Sequence, residues 1–451
     1  SRPLAAGNRI GGPGAGEGNV ITGYGTWSSD GWPSGYAIQV FDARDTRILN
    51  NRIGTTPDGL AQGHLATTIG VYLDGENHGT VIRGNHIAGI LGRRVGVYPG
   101  LVGTAIQLYG NGDGVTITGN RIGLDAHGAP TLGSITGIKT VDYYLGPMSN
   151  VVIGGSAPGD GNEIAGQLGA GICIASSYDG VHIAGNSLHD NGGLGIDLLA
   201  AGSSGGVTPN DALDADGGAN GLQNFPELQF AGRSAGSVRV AGRLVSAPAS
   251  SYTLEFFASP LPDVSGFGEG QEFLGALQLA TDANGDARFE WRLDAEIAAG
   301  AFVTATATDD ASGSTSEFSA ARVAVEDPIA SFCAGDGLDP AVRVACPCAN
   351  FGAPGHGCAH SFAASGAQLG ATGMPLDDDV VLHADELPAN TLALFVQHDA
   401  LGQQVFHDGV LCASGNLVRL RARGAAGGSA EFPDASFAAD ATLTLAQRGG
   451  V

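Results

Sequence analysis

The chain has 451 residues, 75 of them glycine, which at roughly 150 residues per domain suggests about three domains. Twenty-one Lys and Arg against 45 Asp and Glu leave a net charge of −24, with Lys139 the sole lysine. Such an acidic surface argues against nucleic acid or an anionic membrane as a partner. No apolar run approaches the roughly 18 residues that span a bilayer, so no membrane insertion is expected. Frequent Gly-Asn, Gly-Asp and Pro-Gly turn pairs exclude a helical bundle.

In chain order the first signal is a repeat. Asn8, Asn19, Asn51, Asn85, Asn120, Asn162 and Asn186 each have Ile or Leu two places later, and all but Asn51 follow a glycine. A second short motif runs Ala37-Ile38-Gln39-Val40, Gly70-Val71-Tyr72-Leu73, Ala105-Ile106-Gln107-Leu108, Gly137-Ile138-Lys139-Thr140, Gly171-Ile172-Cys173-Ile174 and Gly195-Ile196-Asp197-Leu198. Strands this short, alternating in and out, cannot bury an isoleucine face alone, but stacked coils place isoleucine upon isoleucine. The asparagines then form a structural ladder at tight corners, and the preceding glycine allows positive φ there.

These units resemble the right-handed parallel β-helix repeats of the pectin-lyase-like superfamily over about residues 1–225. The resemblance implies a solenoid and leaves activity open, since polysaccharide lyases, hydrolases, epimerases, tailspikes and adhesins share the architecture. Its register points Gln39, Tyr72, Gln107, Lys139, Cys173 and Asp197 outward in one row. Arg52, His86, Arg121, Glu163 and Ser187 form a second outward row. Neither row pairs carboxylates on adjacent coils, as glycoside hydrolysis requires. Lys139, His189 and Asp197 are the remaining candidates for acid or base chemistry, so no catalytic residue is assigned. Gln39, Tyr72, Gln107 and Lys139 are the candidate binding row. Tyr98, Tyr109, Tyr143 and Tyr144 join Tyr72 as rings that could stack on sugars.

A linker dense in oxygen side chains follows. Asp211, Asp214, Asp216 and Asn220 offer hard ligands for calcium, the only cofactor expected, against the plainer reading of an acidic turn. Residues 227–328 then alternate with period two and read as an immunoglobulin-like β-sandwich. Asp282, Asn284 and Asp286 imitate a calcium loop, but Asn284-Gly285 between strands is the stronger signal of a hairpin.

From 329 to 451 five cysteines, Cys333, Cys346, Cys348, Cys358 and Cys412, mark a β-rich module. Two disulfides are the favoured reading, with zinc at the Cys346-x-Cys348 pair, Cys358 and nearby His356 and His360 as the alternative. The Cys333, Cys346–Asn350 and Gly357–Ser361 strings resemble a C-terminal module of secreted bacterial proteins, which implies truncation and further strands beyond Val451. The expected architecture is all-β: parallel β-helix (1–226), β-sandwich (227–328) and a small disulfide-containing β domain (329–451). The expected function is a secreted or cell-surface bacterial protein that binds a polysaccharide or acts in adhesion. Its alternatives are a polysaccharide lyase or epimerase working on the outer helix face, and a structural protein that self-associates by stacking solenoid ends.

Overall fold

The computed structural model describes residues 4–14, 16–22, 26–27, 33–63, 68–94, 100–144, 146–234, 236–327, 334–338, 342–372, 380–407 and 409–434. The chain divides into two compact units, Ser1–Glu326 and Asp327–Val451. Among the described residues no helix is long and apolar enough to cross a membrane.

The first unit opens as a parallel β-solenoid with three sheets. The first sheet carries Tyr36–Arg44, Ile69–His78, Thr104–Asp113, Thr136–Thr140, Ile172–Ile174 and Ile196–Leu198 in sequence order. The second carries Arg9–Gly11, Arg47–Leu49, Val81–Arg83, Thr116–Thr118, Val152–Gly154 and His182–Ala184. The third runs from Val20–Ile21 through Arg52–Ile53, His86–Ile87, Arg121–Ile122 and Glu163–Ala165 to Ser187–His189. The second and third sheets each send one isoleucine per coil into a common core, so Ile48, Ile82, Ile117 and Ile153 stack in one column and Ile53, Ile87, Ile122 and Ile164 in another, while first-sheet strands add pairs such as Val71 and Leu73. All eight isoleucines have no exposed surface.

Asparagines stitch the coils together. The backbone N–H and Nδ2 of Asn51 both donate to Asn85 Oδ1, at 2.9 and 3.0 Å. Asn85 repeats this on Asn120, Asn120 on Asn162, and Asn162 on Asn186. Each Nδ2 also donates to the carbonyl of a core isoleucine, for example Asn120 to Ile82 at 2.9 Å. Asn19 joins through Asn51, but Asn8 stands outside the row. The reason is placement: Asn8 precedes a strand of the second sheet, where Ile10 pairs Ile48, whereas the other six precede strands of the third. Glycine is required for two different reasons. Gly84, Gly119 and Gly185 have φ of +68°, +62° and +60°, a region costly for other residues. At Gly161 a Cβ would instead lie 2.0 Å from the Gly185 carbonyl oxygen.

Asn120→Ala removes the acceptor for Asn85 and two donors in a dry corner. We expect a loss of roughly 1–3 kcal/mol of stability, read as a lowered denaturation midpoint with unchanged ligand binding. A wild-type melt would mean that water replaces the rung.

A sandwich follows within the same unit. One sheet orders Asp286–Leu293, Ser237–Val245, Glu227–Ser234 and Val325–Glu326; the other orders Glu272–Ala280, Ser251–Ser259, Phe302–Asp309 and Arg322–Val323. Val238, Val240, Leu254, Phe256 and Val303 fill the space between them. The Asp282–Asp286 segment is not the expected hairpin but a turn that crosses from one sheet to the other, and Asp282 Oδ1 accepts the N–H groups of Asn284 and Asp286 at 2.7 and 3.0 Å.

The sandwich also closes the solenoid. Its Phe257 and Phe318 belong to the solenoid core, so the isoleucine columns end on aromatic rings. Leu188, at the free edge of the third sheet, exchanges two backbone hydrogen bonds with Gly270 at 2.8 and 3.1 Å. Where strands give out, side chains serve as acceptors. Glu317 takes the N–H groups of Leu198 and Thr208 at 3.0 and 2.9 Å, Glu255 takes Gly185 at 2.9 Å, and Thr315 Oγ1 takes Ile183 at 2.9 Å. Glu269 extends a second polar row that runs from Ser134 through Gln167 and Asn191, accepting Asn191 Nδ2 at 2.5 Å. This arrangement corrects the expectation of stacking through both solenoid ends: the end after Leu198 is covered by the chain's own sandwich.

In the second unit, Gln368–Thr372, Val381–Asp385 and Ala430–Phe432 form an antiparallel sheet, beside a long hairpin of Leu392–Phe406 and Gly409–Gly424. Phe395 and Phe432 meet at 5.8 Å in its core. Cys346 and Cys358 form a disulfide, and Cys412 is also disulfide-bonded. Cys348 is a free, exposed thiol and Cys173 a free, buried one; Cys333 lies outside the described residues. Bridged sulfurs have no thiolate to offer a metal, so the zinc alternative falls.

Candidate functional site

The outer face of the first sheet gathers most of the side chains singled out above. Strand pairing places Gln39, Tyr72, Gln107, Lys139, Cys173 and Asp197 level with one another on successive coils. Two residues further along the strands, Phe41, Asp74 and Tyr109 form a parallel row. Gln39 Nε2 donates to Asp74 Oδ2 at 3.2 Å, linking the rows.

Tyrosines cross these rows on a diagonal. Tyr36 and Tyr72 have ring centroids 4.8 Å apart, Tyr72 and Tyr109 stack at 6.3 Å and 17°, and Tyr109 meets Tyr143 edge-on at 4.9 Å. Tyr144 extends the series, 4.5 Å from Tyr143. The diagonal arises because Tyr72 sits three places beyond Ile69, the partner of Tyr36, while Tyr109 sits two beyond Gln107, the partner of Tyr72. Tyr72 is 8% exposed because its neighbours cover it, whereas Tyr36, Phe41 and Tyr144 are 42%, 60% and 81% exposed. Burial, then the nearby Asp74 charge, pushes the Tyr72 hydroxyl above its ordinary pKa. A hydrogen bond with Tyr144 pushes Tyr143 up to about 12. Both are therefore neutral donors at physiological pH. Tyr98 lies outside the described residues.

The far end of the row opens into a cavity of about 650 Å³, walled by Thr136, Lys139, Cys173 and Asp197 and by Asp263–Ser265 of the sandwich. Burial pushes the Cys173 thiol up to about 11, assisted by the Asp197 charge, so it is no nucleophile at neutral pH. Burial also raises the Asp197 pKa, although Gly206 N–H donates to its Oδ1 at 3.1 Å. Two coil steps separate Lys139 from Asp197, roughly 10 Å of backbone spacing.

His189 does not join them. It lies on the third sheet, with Nδ1 2.8 Å from Asp190 Oδ2 and Nε2 3.8 Å from Glu163 Oε1. Glu163, then Asp190, raises its pKa, and His189 in turn lowers that of Glu163. Arg121 Nε donates to the same Glu163 at 3.0 Å, so this part of the second outward row is an ion-paired surface. His86 Nε2 lies 2.7 Å from the Leu124 carbonyl oxygen, and burial lowers its pKa. The three catalytic candidates are thus split between two faces.

Asp211, Asp214 and Asp216 do converge, with carboxylate oxygens within 4.8 Å of one another. Burial pushes Asp214 up to about 6, and burial followed by the Asp211 charge raises Asp216. Asn220 must be removed from this set. Its Oδ1 accepts Val181 N–H at 2.8 Å and its Nδ2 donates to the carbonyls of Val181 and Thr315, both at 2.9 Å. It is a buried part of the solenoid's closure.

Neither a protein-family model nor a curated protein matches this chain. The parallel β-solenoid and the antiparallel sheets after it rest on strand order and register.

Tyr36 and Phe41 escaped the sequence reading because neither occupies the outward slot of the short motif. The available signal was aromatic spacing: Tyr36, Tyr72 and Tyr109 recur at about one coil length.

Proposed function

We propose that this chain is a secreted or cell-surface glycan-binding protein, with an extended neutral polysaccharide lying along the tyrosine diagonal. The observation that carries the reading is the five-ring series with exposed aromatics at both ends. Sugar C–H faces pack on such rings, and buried Tyr72 with half-buried Tyr109 and Tyr143 holds the platform rigid, which lowers the entropy lost on binding. Gln39, Gln107 and Asp74 supply hydrogen bonds to hydroxyls. The carboxylates of Asp74 and Glu76 disfavour a polyanion on this face. Disulfides at Cys346–Cys358 and Cys412 support an oxidising compartment.

The test is titration with a panel of neutral oligosaccharides. Phe41→Ala and Tyr144→Ala, both at exposed positions, should each weaken binding about three- to tenfold at roughly 0.5–1.5 kcal/mol per stacked ring, with unchanged melts. Unchanged affinity in both variants, or no binding by any neutral glycan, overturns the reading. The Lys139–Asp197 cavity favours a second reading as a polysaccharide lyase or epimerase. Appearance of unsaturated-uronate absorbance, lost in Lys139→Ala, would replace binding by turnover.

Calcium at Asp211, Asp214 and Asp216 belongs to the same proposal. Three hard carboxylate donors suit the ion, and its charge would relieve the burial that raises two of them. EDTA should lower the melting temperature and millimolar calcium restore it by mass action. A melt indifferent to both makes the segment a plain acidic linker.

A further inference from the structure

The second sheet presents an opposite electrostatic character on its outer face. Ile10 and Ile48 pair across adjacent coils and point into the core, so Arg9 and Arg47, which also pair, point outward beside each other. Among the described residues neither of these two guanidinium groups has a hydrogen-bond or ion-pair partner. Arg83 stands on the next coil, two places along from the level of Arg47, and is held by Asp160 at 2.6 Å and Thr118 Oγ1 at 3.0 Å. All three line an open cleft of about 490 Å³ whose remaining walls include Pro13, Leu49 and Val81.

In a chain of net charge −24, Arg9 and Arg47 stand side by side at one strand spacing, both exposed and neither ion-paired among the described residues. Asp160 already neutralises Arg83, which leaves room for one more negative group. A guanidinium fork matches a carboxylate bidentately, and Pro13, Leu49 and Val81 give the cleft apolar surface on which a sugar ring can rest. We propose that this cleft binds a uronic-acid unit of an acidic glycan, its carboxylate between Arg9 and Arg47 and its C–H face on Pro13, Leu49 and Val81. The site is on a different sheet from the tyrosine diagonal and stands or falls independently of it.

The experiment is calorimetric titration of the whole chain with three probes: a hyaluronate oligosaccharide, its carboxyl-reduced neutral counterpart, and inorganic sulfate. Hyaluronate should bind, weaken as salt is raised, and lose at least tenfold affinity in the Arg9→Ala/Arg47→Ala variant. Arg288→Ala, an exposed arginine of the sandwich, should leave that affinity unchanged. The reduced probe should bind at least tenfold more weakly, and sulfate should compete only at far higher concentration. Equal binding of the reduced probe overturns the carboxylate, equal competition by sulfate overturns the sugar ring, and wild-type affinity in the double variant overturns the arginines. If the double variant melts abnormally, Arg47→Gln alone, with the same probe comparison, gives the decision. Weakened neutral-glycan binding in Phe41→Ala with hyaluronate affinity unchanged separates this site from the first.

Discussion

Glu317→Ala should be among the most damaging single substitutions in the first unit, lowering stability by about 2–6 kcal/mol at pH 6. Its two oxygens accept the N–H groups of Leu198 and Thr208, so truncation leaves two donors without partners at the last coil. The estimate is twice the usual cost of orphaning one buried polar group, and Glu317 itself is 3% exposed. Glu317→Gln keeps one acceptor but turns an amide N–H₂ toward the other donor, so it should fall between wild type and alanine. Thermal melts by circular dichroism test the order. Light scattering tests a second consequence, since a loosened sandwich uncovers strand edges and the Glu317→Ala protein should associate as concentration rises. An alanine variant that melts with the wild type would mean that the sandwich contributes little to closing the solenoid.

The second large effect is a melting temperature that falls as pH rises, by on the order of 10 °C between pH 5.5 and 8.5. Burial pushes Glu255, Glu269 and Glu317 from an ordinary 4.5 up to about 7. Because the folded-state values are raised, the folded protein binds more protons than the unfolded chain between pH 4.5 and 7. Each glutamate's stabilisation is therefore complete below pH 4.5 and lost as pH climbs through 7, with on the order of 2 kcal/mol apiece still present at pH 5.5. Asp214, pushed up to about 6, and His189, raised chiefly by Glu163, act in the same direction. His86 and His182, lowered by burial, oppose it near pH 6.5 and reduce the net change. Glu255→Gln is the informative variant, because its one acceptor role toward Gly185 survives in the amide. It should flatten the pH slope by roughly a third of the glutamate contribution. A pH-independent melt, or a slope untouched by Glu255→Gln, refutes the assignment.

These glutamates also show where a linear reading stops. Glu317 meets Leu198 across 119 residues, and Glu269 meets Asn191 across 78. No period or motif marks Glu255 on its sandwich strand, or Glu269 and Glu317 in the segments between strands, as the acceptors that a further coil's backbone would have supplied. The same holds for Phe257 and Phe318: Tyr252, Leu254 and Phe256 are the strand positions that alternate into the sandwich interior, while Phe257 on the opposite face and Phe318 in the segment after Asp309 complete the solenoid core. Asn220 looked like a metal ligand from its acidic neighbours and is instead committed to Val181 and Thr315. Composition says what a side chain can bond, and only the chain's return path says what it meets.

What the sequence determined by itself was everything set by local period. Ile-upon-Ile columns, the asparagine row from Asn19 to Asn186 and the outward register from Gln39 to Asp197 follow from a two-residue alternation repeated once per coil. A one-residue slip would turn every buried isoleucine to water. The tertiary structure alone decided which outward residues become neighbours. Loop lengths differ from coil to coil, so tyrosines offset by two or three places fall on a diagonal, Arg9 and Arg47 stand unpaired side by side, and Lys139 and His189 are directed to separate faces. Register is enforced by burial and can be read from a pattern. Adjacency across coils and between solenoid and sandwich is set by the geometry of closure, which leaves no periodic mark on the chain.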